Sequence, residues 1–396
     1  MDFKISNRMK AMRGSAIREI FKYAADPSVI SLAGGNPAPE LFPNEALAEI
    51  AERFLRNEPV LSLQYGITEG YNPLRQYVKD RLARVEGINR AGDETIIVSG
   101  AQQGIELLAK TLINEGDVVI VEEPSFIGAT NAFRSYGAKL VGVPVEDDGM
   151  NTDALEAVLK TYPEAKLIYT IPTFQNPTGT TMSLEKRKKV YALAKKHGVP
   201  ILEDNPYGDL CFDGRRFPTI KSMDTEGLVI YSGSFSKILA PGIRVGFLTG
   251  DATLIQKIVV AKQISDVHTP MLTQLMCHTY LSENDLEADI AKTRLNYAHK
   301  SKTMMDAMEA YFPKDLHFIR PLGGLFIWCD LGHGVDTLAL SKQAIEEKVV
   351  YVPGNTFMVD MDTVCSTLRL NYSTSSDEKI EEGIRRLGKV FAKALQ

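Results

Sequence analysis

Between Glu94 and Gln263 the chain repeats one pattern, a short apolar run without polar alternation followed by a segment with apolar residues at helical spacing. The runs Thr95–Val98, Val118–Val121, Leu140–Val143, Lys166–Tyr169, Pro200–Glu203, Leu228–Tyr231 and Val245–Leu248 predict strands. Most lack a polar face, which predicts strands covered on both sides. Gln102–Ile113, Ile127–Tyr136 and Leu184–His197 predict helices between them, the last stopped by Gly198. This alternation predicts an α/β fold: a mostly parallel sheet with helices on both faces.

The pattern changes near Asp285, where a long charged helical stretch runs to Phe312. Strand-like Leu325–Trp328 and Leu368–Leu370 follow, with helices expected from Asp336 and Asp377. These predict a smaller α+β domain. The opening segment, broken by Gly34-Gly35-Asn36-Pro37 and Pro39, reads as loop-rich and is expected to pack against that smaller domain. The expected division is 1–43, 44–284 and 285–396.

Composition then excludes several classes. Of 396 residues, 44% are hydrophobic and 24% charged, an ordinary globular mix. A net charge of −5 supplies no broad positive field, so nucleic acid is not an expected partner. Cys211, Cys277, Cys329 and Cys365 form no C-x-x-C pair and the histidines form no H-E-x-x-H, so neither a metal site nor a disulfide framework is expected. The first residues lack an apolar signal region, and no stretch approaches the ~18 continuous apolar residues of a membrane span. A cytoplasmic protein without membrane contact is expected.

In open parallel sheets, ligands bind beyond the carboxyl ends of the strands. There the chain carries Ser99-Gly100-Ala101-Gln102-Gln103, a turn into a helix whose free amides suit a phosphate. It also carries Asn176-Pro177-Thr178-Gly179, Asp204-Asn205-Pro206-Tyr207, and Ser234-Phe235-Ser236-Lys237 with Arg244. Singly, each has a plainer reading: a structural turn, a helix cap or ion pair for Asp204, a solvated surface charge for Lys237. A carboxylate directly after an apolar strand nevertheless needs a partner, and a nucleophilic amine at neutral pH needs burial or cationic neighbours. Together the loops offer an anion cradle, a carboxylate, a phenol, an amide and an amine, which is what pyridoxal 5′-phosphate demands.

The ordered set Asn176-Pro177-Thr178-Gly179, Asp204-x-x-Tyr207 and Ser234-Phe235-Ser236-Lys237 with Arg244 resembles the class I aminotransferases of fold type I. Ser15–Ile20, Ile30–Pro37, Leu63-Gln64-Tyr65-Gly66 and Ser99–Gln103 resemble the subgroup of 2-aminoadipate, kynurenine and multi-substrate bacterial aminotransferases. The resemblance implies a ping-pong transfer of the amino group of an L-amino acid to a 2-oxo acid such as 2-oxoglutarate. It implies Lys237 as the Schiff-base lysine, Asp204 on the cofactor's pyridinium nitrogen, and Tyr207 and Asn176 on its phenolic oxygen. Ser234, Ser236, Arg244 and the backbone of Gly100, Ala101 and Gln102 would hold the phosphate, with Tyr65 reaching the neighbouring subunit's cofactor in a homodimer. Arg369 would clamp the substrate α-carboxylate, with Gly35 and Asn176 beside it and Arg18 a candidate for a distal carboxylate.

Two positions depart from the subgroup. Phe126 stands where a ring-stacking tyrosine is usual and Ala101 where serine is common, so one hydroxyl and one phosphate donor are missing and slightly weaker cofactor retention is expected. A lyase or decarboxylase of the same fold, or a cofactor-binding sensor domain, would share most of these residues. Ser234-x-x-Lys237 also fits a serine–lysine nucleophile motif, but no K-T-G accompanies it.

Overall fold

The computed structural model describes residues 3–12, 23, 26–332 and 334–395. Its larger sheet has eight strands in the spatial order Asp93–Val98, Gly246–Asp251, Val229–Ser234, Ile201–Asp204, Leu167–Thr170, Val118–Glu123, Lys139–Glu146, Gly149–Met150. All seven expected runs are strands. The five from Val229–Ser234 to Lys139–Glu146 are parallel, and Gly246–Asp251 runs antiparallel to both its neighbours. That reversal is not visible in the sequence, because Val245–Leu248 is as apolar as the parallel strands. It brings the start of this strand, and Arg244 before it, to the same edge as Ser234, which pairs with Gly246. Lys139–Glu146 also departs from the buried pattern: only Val143 is buried, because its outer neighbour is the two-residue strand Gly149–Met150.

From Val118–Glu123 the chain steps outward to Lys139–Glu146 and then returns to Leu167–Thr170 on the other side. This reversal of strand order opens a crevice at the carboxyl ends, the usual ligand position in such sheets. Helices Ala101–Leu112, Ile127–Ser135 and Leu184–His197 form where expected, within a residue or so, and Gly198 closes the last in the left-handed region at φ 67°.

A second, antiparallel sheet has the order His317–Phe318, Phe326–Asp330, Thr367–Asn371, Val352–Pro353. Arg369 sits in one of its two interior strands, opposite Trp328 on one side and Val352 on the other. The segment after residue 26 is tied to this sheet's surroundings. Ile30–Ser31 pairs in parallel with Val349–Val350, and Asn371 donates its amide to the Leu32 carbonyl at 2.8 Å. Residues 33–36 thereby run between the smaller sheet and the crevice.

The turn carrying Asn176 is braced from two directions. Gly179 adopts φ 72°, and a Cβ there would stand 2.9 Å from the Phe326 carbonyl, so only glycine lets this turn press against the smaller sheet. From below, the buried Arg187 guanidinium donates to the carbonyls of Met182, Pro218 and Pro172 and to Thr173 Oγ1, at 2.6–3.1 Å. Replacing it by methionine leaves several carbonyls without a donor. Arg187→Met is expected to lose on the order of 3 kcal/mol of stability. A urea midpoint unchanged from wild type would contradict this.

Candidate active site

The crevice is a cavity of about 290 Å³ where the ends of the larger sheet meet the smaller one. Twelve residues expected at the site line it: Gly35, Ala101, Gln102, Phe126, Asn176, Asp204, Tyr207, Ser234, Ser236, Lys237, Arg244 and Arg369. Gly100 lies just behind, as the N-cap of helix Ala101–Leu112. Tyr65 is outside it and 80% exposed. Arg18 lies outside the described residues.

Lys237 follows the strand Val229–Ser234, and its Nζ donates to the Gly35 carbonyl at 2.8 Å. Burial, with the nearby charges of Arg369 and Arg244, lowers its pKa to about 8. On the neighbouring strand Asp204 is 2% exposed. Neither the helix cap nor the ion pair of the plainer reading is seen among the described residues: its Oδ2 accepts from the Tyr169 hydroxyl at 2.9 Å, and Oδ1 has no hydrogen-bond partner there. Burial raises its pKa to about 6, with the hydrogen bond from Tyr169 opposing. An acceptor-only oxygen held this way suits a ligand N–H.

Arg369 is 3% exposed and lies between two rings, 4.2 Å from the Phe326 centroid and 5.0 Å from that of Phe357. Its Nη1 donates to Asn176 Oδ1 at 2.7 Å and Nη2 to the Ala33 carbonyl at 2.8 Å, while Nε has no partner among the described residues. Burial draws its pKa down to about 10. Among the described residues no carboxylate forms an ion pair with it, so a buried guanidinium with an open donor faces the cavity contents. The loop that carries Asn176 is held from behind: the buried Glu122 accepts from the Ile171 amide and from Gln175 Nε2, at 3.0 and 3.2 Å. The Tyr207 phenol is pushed above its ordinary range by burial, with the Arg369 charge and Asn176 opposing, and its ring meets Phe326 edge-on at 5.8 Å.

At the other end, Ser234 Oγ donates to Ser236 Oγ at 2.9 Å. Arg244, at a left-handed φ of 53°, donates Nη2 to the Ser99 carbonyl at 3.0 Å. Gly100 has φ 79°, and a Cβ there would lie 2.1 Å from the same guanidinium. The helix that begins at Ala101 has no side-chain cap among the described residues, which leaves its first amides free to meet an anion. Among the described residues the lining thus carries Lys237, Arg244 and Arg369 against one carboxylate, that of Asp204. Such a cavity suits a ligand with more than one negative group.

Sequence reasoning missed Asn36, Ile105, Ile171, Pro206 and Phe326 in the lining, and Tyr169 beneath it. Asn36 and Pro206 stand inside motifs already singled out. The others read as ordinary core residues, and nothing in the sequence separates them from it.

Comparison with known proteins agrees with this geometry. Residues 27–387 match the family described as aminotransferase class I and II. The chain is 39% identical to aromatic-amino-acid aminotransferase 1 of Thermococcus litoralis, over 99% of this chain and 94% of that one. It is 41% identical to 2-aminoadipate transaminase of Thermus thermophilus, over 96% and 94%. The crystal structure of Pyrococcus horikoshii kynurenine aminotransferase in complex with PMP superposes with a TM-score of 0.95 at 37% identity, covering 99% of this chain and 98% of that one. With its sheet reversal, its strand-end amine and carboxylate, and full-length similarity to these enzymes, the chain belongs to the class I and II aminotransferases.

Proposed function

We propose that this aminotransferase moves the amino group of an L-amino acid to a 2-oxo acid, with 2-oxoglutarate as acceptor, using pyridoxal 5′-phosphate held in the cavity described above. The observation that carries the reading is two groups in one cavity: a part-buried amine of lowered pKa, and a buried carboxylate with an oxygen unpartnered among the described residues. The residues fit the cofactor: Asp204 Oδ1 is an acceptor for a pyridinium N–H, and Arg244 with the uncapped helix start is a cradle for phosphate. Bound there, the cofactor supplies an aldehyde for amines and a ring that takes up electrons.

The chain's own residues then have distinct tasks. Lys237, largely neutral above pH 8, attaches the cofactor and, once displaced by substrate, carries a proton to and from the substrate Cα. Asp204, as an anion, keeps the ring nitrogen protonated. Tyr207 and Asn176 hold the ring's phenolic oxygen, and Phe126 offers an aromatic face without a hydroxyl. Ser234, Ser236, Arg244 and the backbone of Gly100, Ala101 and Gln102 hold the phosphate. Arg369, with its open Nε, takes the substrate α-carboxylate beside Gly35 and Asn176. Arg18 is kept as a candidate contact for a distal carboxylate.

The working unit in this proposal is a homodimer. Val60, Leu63, Tyr65, Ile67 and Ile264 are each more than half exposed. Tyr65 packs edge-on against His268, whose Nε2 accepts the Gly66 amide, so these segments adjoin. A second copy covering this face would bring Tyr65 to the neighbouring cofactor phosphate. The division at 43/44 and 284/285 belongs to the same proposal, supported by the two sheets falling within 93–251 and 317–371. So does a cytoplasmic location, which rests on the sequence alone.

Amino acids added to the cofactor-loaded protein are expected to convert its absorption to that of the pyridoxamine form. Lys237→Ala should abolish the conversion, and a normal half-reaction in that variant would move the proton-transfer role elsewhere. Release of ammonia or carbon dioxide instead of stoichiometric transfer to 2-oxoglutarate would contradict the reaction class. The lowered pKa adds a pH dependence. Only the neutral amine attacks an aldehyde, so uptake of cofactor by the cofactor-free protein should accelerate with rising pH, with a midpoint near 8. A midpoint near the ordinary lysine value of 10.5 would show that the amine is not buried as described.

A further inference from the structure

Gln103, the last residue of the Ser99–Gln103 motif, does not line the cavity, yet it sits at the centre of a polar cluster behind the phosphate end. Every polar group of Ser99 is engaged there. Its amide donates to Gln103 Oε1 at 2.7 Å, and its hydroxyl donates to Asp266 Oδ2 at 3.1 Å and lies 3.1 Å from Thr269 Oγ1. Its carbonyl accepts Arg244 Nη2 at 3.0 Å. Gln103 also donates Nε2 to Asp266 Oδ2 at 2.6 Å and accepts Lys262 Nζ at 2.7 Å. Lys262, whose side chain is fully buried, completes the cluster by donating to both Asp266 oxygens at 2.9 Å.

A wholly buried lysine is an expensive way to fill space, and a buried ion pair can often be replaced by apolar side chains without loss of stability. What this cluster does that apolar packing cannot is fix polar orientation. With Lys262 and the Ser99 amide both donating to Gln103 Oε1, the amide cannot flip, so its Nε2 must face Asp266. Asp266 in turn holds the Ser99 hydroxyl, and Ser99 presents its carbonyl to Arg244.

We propose that Lys262, Asp266 and Gln103 are positioning residues for the phosphate end of the cavity. They hold the Ser99–Gly100 turn so that Arg244 and the first amides of helix Ala101–Leu112 converge on one anion. The inference rests on the assignment of that end to the cofactor phosphate. It also accounts for how the site tolerates Ala101, which brings no hydroxyl: the cradle relies on oriented backbone and on Arg244.

The test uses two ligands that differ only in the phosphate. Cofactor-free wild type, Lys262→Met and Gln103→Met are titrated with pyridoxal 5′-phosphate and with pyridoxal, following the absorbance of the bound aldehyde. The dissociation constant for pyridoxal 5′-phosphate is expected to rise roughly tenfold in each variant, and that for pyridoxal by less than about twofold. Unchanged affinity for the phosphorylated ligand, or equal weakening of both, would overturn the positioning role. Gln103 is only partly buried, so its variant keeps the test decisive if Lys262→Met does not fold. Wild-type protein that binds neither compound would overturn the cofactor assignment instead.

Discussion

An amine and a carboxylate share one cavity here without neutralising each other. Lys237 Nζ is turned to the Gly35 carbonyl, Asp204 takes a phenol hydroxyl, and no ion pair joins them. Burial acts on the two groups in opposite directions, lowering the lysine's pKa and raising the aspartate's, and each is thereby pushed toward its neutral form. A direct salt bridge would remove that tension and with it the reactivity of both. Adjacent parallel strands hold them apart: Asp204 ends one, and Lys237 follows the next after a short turn.

Much of the surrounding structure maintains this separation. The Gly35 carbonyl is in place because the 30–36 segment pairs with Val349–Val350 and is tied to the smaller sheet through Asn371. Arg369 reaches the cavity from the interior of that same sheet and fixes the segment again through the Ala33 carbonyl. Asn176 joins the two halves of the site, accepting from Arg369 while its loop is braced by Arg187, Glu122 and the close approach of Gly179 to Phe326. The guanidinium at each end, Arg244 exposed and Arg369 buried, thus has neutral oxygens as its partners, which leaves charge available to a ligand.

The strands were legible because parallel strands covered on both sides must be apolar along their length, and the candidate site was legible because Asp204, Ser234 and Lys237 follow those runs and Arg244 precedes one. The antiparallel course of Gly246–Asp251 was not, since direction leaves no trace in an apolar run. Nor was the bond from Arg369 to Asn176, which spans 193 positions of sequence and depends on how the two sheets meet. Tyr169, read as one more buried strand residue, turned out to be the donor on Asp204, because a phenol at an inward-facing strand position looks the same whether it packs or hydrogen-bonds. Phe326 and Ile105 were hidden for the same reason: an aromatic or aliphatic residue lining a cavity is indistinguishable, in sequence, from one in the core.

The claim on which this depends is that the amine at position 237 is the one that binds the cofactor aldehyde. Reducing the pyridoxal 5′-phosphate-loaded protein with borohydride and mapping the modified peptides by mass spectrometry tests it directly. Label confined to Lys237 is the predicted result; label on another lysine, with Lys237 unmodified, would contradict the account.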